Sequence, residues 1–237
     1  MRSRVIIAGV ACLAALALAG GGAYVYFFSG LRSSPAPLAL STPSASASAA
    51  PAGGLAANWT VTSGSVVGYR VKELFVGETS KHDAVAQTSN VTGSLTVSGD
   101  SSGYQVTAIT FTAALTGLHS VDSVAGRNVV QRDSYVSRSM NLQQFPDATF
   151  TASSGSVPAT DGSGPVDVSA AGKLTIHGVT KDVTATARAQ LNGGKIEIVG
   201  SLSIDMTDYG VSPPSVPFTT VDSQVTIEFQ LFLTKSS

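Results

Sequence analysis

The sequence predicts an all-β domain, because apolar and polar residues alternate along most of the chain after residue 58 and turn residues separate the alternating runs. In residues 224–233 the odd positions are apolar and the even positions are mostly polar, which is typical of a strand with one buried face. The sequence Asn192-Gly193-Gly194 lies between two such runs and indicates a hairpin. About seven or eight strands with short turns predict a β-sandwich or a closed barrel, and alternation alone does not choose between them.

The same period of two recurs in residues 108–115, 166–176 and 195–206, each with apolar side chains at alternate positions. Residues 183–191 differ, because their non-polar positions hold mainly the small side chains of Ala185, Ala187 and Ala189. Residues 121–144 break the alternation. They predict the domain's one short helix, around residues 134–143, which Pro146 would end.

The first 57 residues differ in composition from the rest, so we place domain boundaries at residues 1–30, 31–57 and 58–237. Arg2 and Arg4 precede residues 5–28, which carry no charge and as a helix would be long enough to cross a bilayer. Since positive residues stay on the cytoplasmic side, we expect a single-pass protein of the cell membrane with an extracytoplasmic C-terminal domain. The alternative is a signal peptide cleaved near Ala17-Leu18-Ala19, which would release a secreted protein.

Residues 31–57 consist mainly of Ser, Ala, Pro and Gly, and only Arg32 is charged. Such a composition buries little apolar surface to offset the entropy of ordering, which predicts a disordered linker.

Composition excludes several classes of function. Charged residues make up 12% of the chain and the formal net charge is -1, so we expect no nucleic-acid partner. The one cysteine, Cys12, lies in the apolar N-terminal run, which leaves no possible disulfide in the domain. The three histidines lack ligand spacing and no activated nucleophile motif is present, so the sequence predicts no metal, no cofactor and no catalytic residues.

Two segments carry a recognisable pattern. The first, residues 127–150, contains an Arg-Asp pair, a short helical stretch and then Phe-Pro-x-x-x-Phe, represented by Arg132, Asp133, Phe145, Pro146 and Phe150. The second, residues 172–184, reads GKLTIHGVTKDVT. Together they resemble the YceI-like family of secreted bacterial lipid-binding proteins, over roughly residues 59–235. The chain departs from the family pattern in residues 82–88, which are polar and Ala-rich.

The resemblance implies an extended antiparallel, lipocalin-like β-barrel of about eight strands, with one short helical crossover, around a long apolar pocket. It also implies that the domain sequesters or carries a polyisoprenoid or similar long-chain amphiphilic lipid. Several inward positions are small, namely Ala113, Ala185, Ala187, Ala189 and Gly200, and this favours an internal void over a packed core. Combining the family fold with the alternation, we expect the ligand to contact Tyr69, Val71, Leu95, Ile109, Phe111, Leu115, Phe150, Leu174, Ile176, Ile198, Leu202, Ile204, Ile227 and Phe229.

A charge cluster, Arg127, Arg132, Asp133 and Arg138, has two interpretations. In the structural one, Asp133 caps the short helix and pairs with a neighbouring Arg. In the functional one, the three arginines bind an anionic head group at the pocket mouth. Two other functions remain open: a structural or adhesion module with a filled barrel that binds a protein or glycan, and an enzyme acting on an isoprenoid. The oligomeric state is also open, and a homodimer is one candidate.

Overall fold

A computed structural model describes residue 21 and residues 32–42, 54–100, 102–158 and 164–236. One α-helix, α1 (Val130–Ser139), and two short 3-10 helices (Leu115–Gly117 and Met206–Tyr209) lie within these ranges. The strands are β1 (Arg32–Ser33), β2 (Ala57–Val61), β3 (Val66–Phe75), β4 (His82–Thr88), β5 (Val91–Asp100), β6 (Gly103–Ala114), β7 (His119–Ser120), β8 (Ser123–Val124), β9 (Asp147–Gly155), β10 (Val166–Ile176), β11 (Val179–Asn192), β12 (Lys195–Asp205), β13 (Ser215–Val216) and β14 (Thr219–Lys235).

Eight antiparallel strands close into a barrel, in the order β2, β5, β6, β9, β10, β11, β12 and β14. The ring closes because β14 pairs with β12 on one side and with β2 on the other. At 17 residues β14 is long enough to pair also with β3, which continues the wall through β4 and β7. The expected barrel of about eight strands with a short helical crossover is thus confirmed, and the sandwich is excluded.

The hairpin predicted at Asn192-Gly193-Gly194 is present. Strand β11 ends at Asn192 and β12 begins at Lys195. Both glycines have positive φ angles, 60° and 77°, as a type I′ turn requires, and this turn matches the twist of the flanking strands.

The helix begins and ends four residues before the predicted bounds of 134–143, since α1 spans Val130–Ser139. Pro146 does not end it. Asn141, at φ 45°, adopts the left-handed conformation that stops a helix two residues beyond Ser139.

The predicted transmembrane anchor, residues 1–30, lies outside the described residues except for residue 21. Among the helices that the structure does describe, none has the length and apolarity needed to cross a membrane.

Residues 32–42 follow the outside of the barrel, so the prediction of disorder is wrong for this part of the linker. We call residues 32–42 the strap. It starts at β1, which pairs with β8, and the Ser34 hydroxyl donates to the carbonyl of Asp83. The Arg70 guanidinium then donates to the carbonyl of Pro35 at 2.9 Å. The composition argument failed because polar side chains of the barrel, rather than apolar residues of the strap, supply the contacts.

Glu197 holds the far end of the strap. Its carboxylate is fully buried and accepts hydrogen bonds from the backbone N–H and the hydroxyl of Ser41, each at 2.9 Å. The side-chain amides of Gln190, Asn192 and Gln230 donate to the same carboxylate. Despite burial, which alone would raise it, the pKa of Glu197 lies below its usual value because these donors stabilise the ionised form. Glu197 therefore contributes stability at neutral pH that is lost as pH falls below about 4.5.

We expect Glu197→Ala to lower the free energy of unfolding by about 2–3 kcal/mol, because it leaves several buried donors without an acceptor. The strap should also become sensitive to elastase, which cleaves after small apolar residues such as Ala39. Urea unfolding and timed proteolysis of the full chain measure both effects. Asp167→Ala, which removes an outward carboxylate that is 92% exposed, is the matched control and should change neither. Equal cleavage of both variants would show that Glu197 does not hold the strap.

Candidate functional site

The barrel interior contains a larger cavity of about 230 Å³ with an almost wholly apolar lining. The inward side chains of β5, β6, β9, β10, β11 and β12 form its wall, and the predicted small residues Ala113, Ala185, Ala187 and Ala189 are among them. Gly200 makes room in another way. A Cβ there would lie 2.6 Å from the Phe229 ring, so the missing side chain lets that ring fold against the wall.

A smaller cavity of about 150 Å³ continues the space toward α1. Val67, Ala148 and Ile227 line both cavities, so the two lie end to end along the barrel interior, and we call them together the tunnel. All fourteen residues predicted from alternation line this tunnel, nine of them in the larger cavity and the others in the smaller one. Whether they contact a ligand stays a prediction. The polar, Ala-rich residues 82–88 also form pocket wall, since they fold into β4 and Ala84 and Thr88 line the smaller cavity.

Sequence reasoning missed several lining residues. Val67 was not assigned a side because only part of β3 was recognised as a strand. Val136 and Met140 belong to α1 and the turn after it, and Tyr209 belongs to a 3-10 helix, so none of them follows the strand period that was used as the signal.

The tunnel approaches the surface beside α1. A groove of about 470 Å³ runs between this helix, β4 and the 3-10 helix Leu115–Gly117. It shares Tyr69, Leu115, Leu118 and Val136 with the smaller cavity, and its outer part is polar, with Ser134, Ser137 and Arg138. The groove therefore places a polar rim, which carries Arg138 and Asp133, beside the apolar interior.

Three polar groups face the smaller cavity region. The hydroxyl of Tyr209 and the Nε of Arg132 are buried and have no hydrogen-bond partner among the described residues. Burial raises the pKa of Tyr69 well above its usual value of 10.0, with smaller raising effects from Asp133, Asp122 and Glu73 and a lowering effect from Arg132. Burial also raises the pKa of Tyr209. Both phenols stay protonated at neutral pH and can donate hydrogen bonds.

Arg132 lies at the centre of a buried charge network. It donates to Asp122 at 2.7 Å and to Glu73 at 2.8 Å. Asp122 also accepts from His82 Nε2 at 2.7 Å and from the backbone N–H of Val85. Although burial opposes ionisation, these donors hold the pKa of Asp122 far below its usual value of 3.8. His82 is buried in β4, and its bond to Asp122 helps to fasten the β8 region to the barrel.

Asp133 does not cap α1 or pair with an arginine, so that part of the structural interpretation is wrong. The N-cap position of α1 is Val129, without a side-chain hydrogen bond. The Asp133 carboxylate instead accepts from the backbone N–H and hydroxyl of Ser120 at 3.0 and 2.7 Å. This contact ties the helix to β7 and holds the crossover over the end of the barrel.

The three arginines proposed for a head group lie in different environments. Arg132 is engaged by Asp122 and Glu73, and only its Nε remains unpartnered. Arg138 is exposed and lines the groove, and its guanidinium carbon lies 4.7 Å from the centre of the Tyr135 ring. Arg127 is exposed and lies over the Phe75 ring at 5.0 Å.

Trp59 closes the barrel at the end opposite α1. Its side chain is fully buried in the main apolar cluster, and its indole N–H donates to the carbonyl of Leu55 at 2.9 Å. It lines neither cavity, and it packs against residues that do, among them Leu95 and Ile109.

A closed eight-stranded antiparallel barrel around an apolar space defines the class of β-barrels that enclose an internal cavity. Within that class the chain belongs to the YceI-like family, whose domain model matches residues 59–233. Two UPF0312 proteins of Pseudomonas putida, from strains F1 and KT2440, are each 28% identical to it over 109 residues, which are 43% of this chain and 54% of the relative. The chain thus spans about half the length of the curated relatives it matches.

Solved structures share the fold at low identity. A polyisoprenoid binding domain from Saccharophagus degradans, implicated in plant cell wall breakdown, is 15% identical with a TM-score of 0.50, covering 77% of this chain and 100% of that one. BcnA of Burkholderia cenocepacia is 19% identical with a TM-score of 0.49, covering 71% of this chain and 95% of that one.

Proposed function

We propose that this protein sequesters or carries a polyisoprenoid or similar amphiphilic lipid, with the tail in the tunnel. The domain acts outside the cytoplasm, tethered to the membrane by the N-terminal apolar segment. The observation that carries the proposal is the elongated apolar space that the two adjacent cavities leave inside the barrel. A filled structural barrel would leave no such space, so the adhesion module is the weaker alternative.

A hydrocarbon tail suits this interior physically. Burying each CH2 contributes about 0.8 kcal/mol, and the entropy of immobilising the tail offsets part of that gain. The combined volume of the two cavities lies near the lower end of the range for small-molecule pockets, which begins at about 300 Å³. An elongated, mostly apolar shape selects a chain rather than a compact polar metabolite. The polyisoprenoid-binding name of the Saccharophagus degradans domain agrees with this ligand class.

The polar end of the lipid lies toward α1. Tyr69, Tyr209 and the Arg132 Nε offer donors there, and Arg138 lies at the groove's rim. A buried donor without a partner is costly, and a ligand oxygen that accepts from it removes that cost. These groups are suited to binding, because two protonated phenols and an arginine held by two carboxylates supply neither a nucleophile nor a free base.

Tyr209→Phe tests this orientation. We expect it to weaken binding of decaprenol, which has a hydroxyl acceptor, by roughly 2- to 10-fold, as for loss of one hydrogen bond. Binding of squalene, a hydrocarbon of the same chemical class without a polar end, should be unchanged. Folding stability should not fall, because the lost hydroxyl has no hydrogen-bond partner in the part of the chain that the structure describes. Equal weakening of both ligands would place the polar end elsewhere.

The proposed function itself is tested by equilibrium binding of decaprenol carrying a fluorescent group at its hydroxyl end, with unlabelled decaprenol as competitor. We expect saturable uptake and full competition by decaprenol. Labelled glycans or a phosphate-bearing sugar should not compete. Absence of uptake by folded protein would refute the lipid-binding proposal and favour the structural module.

A further inference from the structure

Apolar side chains are exposed at the α1 end of the barrel. Val76 and Val130 are each 64% exposed and Phe218 is 42% exposed. They share one end, because the Val76 N–H donates to the Phe218 carbonyl and the Phe218 ring lies 6.5 Å from that of Tyr135 in α1. We call Val76, Val130, Phe218 and the exposed arginines Arg127 and Arg138 the docking surface.

The two charged residues of the docking surface are both arginines. The Arg127 and Arg138 guanidiniums are held by aromatic rings and remain exposed. The nearby Lys81 and Asp222 neutralise each other at 2.7 Å, and the Asp133 carboxylate is turned toward Ser120. Large apolar side chains beside arginines are typical of a surface that meets anionic lipid head groups.

The strap begins at this same end of the barrel. Arg32 is paired with Val124, and the carbonyl of Val124 accepts from the N–H of Arg127. The uncharged run ends at Phe28, only four residues before Arg32. Four extended residues span at most about 14 Å, so a segment inserted in a bilayer would hold this end of the barrel close to the lipid surface.

We propose that the docking surface rests on an anionic lipid bilayer, so that the groove beside α1 opens onto the membrane. The proposal rests on the membrane tether of the proposed function. It adds an orientation, since the strap fixes which end faces the lipid. A lipid tail can then pass between bilayer and tunnel without crossing water. Because the strap is bound to the barrel, the domain cannot rotate freely on a flexible linker, and the same end always faces the membrane.

The test uses the full chain in mixed vesicles of phosphatidylcholine and phosphatidylglycerol. In a Cys12→Ser background, one environment-sensitive fluorophore is attached at Asn128→Cys, beside the docking surface. The matched control is Ser102→Cys, exposed in the β5–β6 turn at the opposite end. Spin-labelled lipids with the quencher near the head group report proximity to the bilayer. A third protein combines Asn128→Cys with Val76→Asp and Phe218→Asp, which places charge at two exposed positions where folding tolerates it.

We expect quenching at residue 128 to exceed that at residue 102 several-fold. It should fall part of the way toward the control level in the double aspartate variant or in high salt, because the tether alone still keeps this end of the barrel near the bilayer. Quenching at residue 128 that neither the double aspartate substitution nor high salt lowers, in protein that floats with the vesicles, would overturn the docking surface while leaving the tether intact. Equal, weak quenching at both positions would overturn the orientation as well. Protein that does not float would overturn both. Uptake of labelled decaprenol, measured separately in detergent, tells whether the tunnel still functions in either case.

Discussion

Ala187→Trp is expected to abolish most polyisoprenoid binding. Ala187 lines the larger cavity at the middle of β11, opposite Gly200 of the neighbouring strand, so an indole there projects into the space that a tail would occupy. Excluding roughly three CH2 groups, at about 0.8 kcal/mol each, corresponds to a loss of roughly 50-fold in affinity. The measurement is competition between labelled and unlabelled decaprenol.

The control is Arg188→Trp, which adds the same ring to the next residue on the outer face, where the side chain is 62% exposed. Its affinity should match that of the unsubstituted chain. Because a large side chain can strain a packed core by about 1–3 kcal/mol, both variants are compared by thermal unfolding. Ala187→Leu gives an intermediate volume and should give an intermediate affinity. A folded Ala187→Trp variant that binds normally would contradict a ligand site in the larger cavity.

Arg132→Met is expected to have the largest effect on stability. It retains much of the side chain's volume but leaves the buried carboxylates of Asp122 and Glu73 without their shared cation. Leaving a buried charge uncompensated costs about 3–5 kcal/mol, a large share of the stability of a domain. Chemical unfolding near neutral pH measures the loss. Arg138→Met, on the same helix but exposed, should cost less than about 1 kcal/mol.

The pH dependence separates charge from packing. In the unsubstituted chain the pKa of Asp122 is lower when folded than when unfolded, so its contribution is fully present above the usual value of 3.8 and is lost as pH falls through the folded pKa. Without Arg132 the pKa of Asp122 should rise, because the guanidinium's hydrogen bond and charge no longer oppose the effect of burial, although the bonds from His82 and Val85 remain. The deficit of Arg132→Met should therefore shrink as pH is lowered toward 4. A deficit that does not change with pH would point to lost packing instead.

The barrel interior could be predicted because one physical rule, alternation with a period of two, decides which side of a strand each residue faces. The rule placed Leu174, Ile198 and Phe229 in the tunnel, and the run of alanines in β11 correctly indicated unfilled space. Alternation could not choose the barrel over the sandwich, because both have one apolar face per strand. That choice needed the family resemblance.

The features that were missed depend on residues distant in sequence. Nothing local in residues 32–42 indicates order, since the strap is held by Arg70, Glu197 and Gln230 from three separate strands. The only sign of an ordered strap is that polar side chains on the outer faces of the strands are buried. Those side chains can be recognised only when the register of the sheet is known. Similarly, His82 could be placed in a strand only once its partner Asp122 was known.

Native mass spectrometry of the full chain, released from membranes in mild detergent, tests the central claim most directly, because it weighs whatever occupies the tunnel. We predict one tightly held species with the mass of a polyisoprenoid or a similar long-chain lipid, lost on collisional activation and absent from Ala187→Trp. A chain that is always of bare mass, including after incubation with decaprenol, would contradict the assignment of the tunnel as a lipid site.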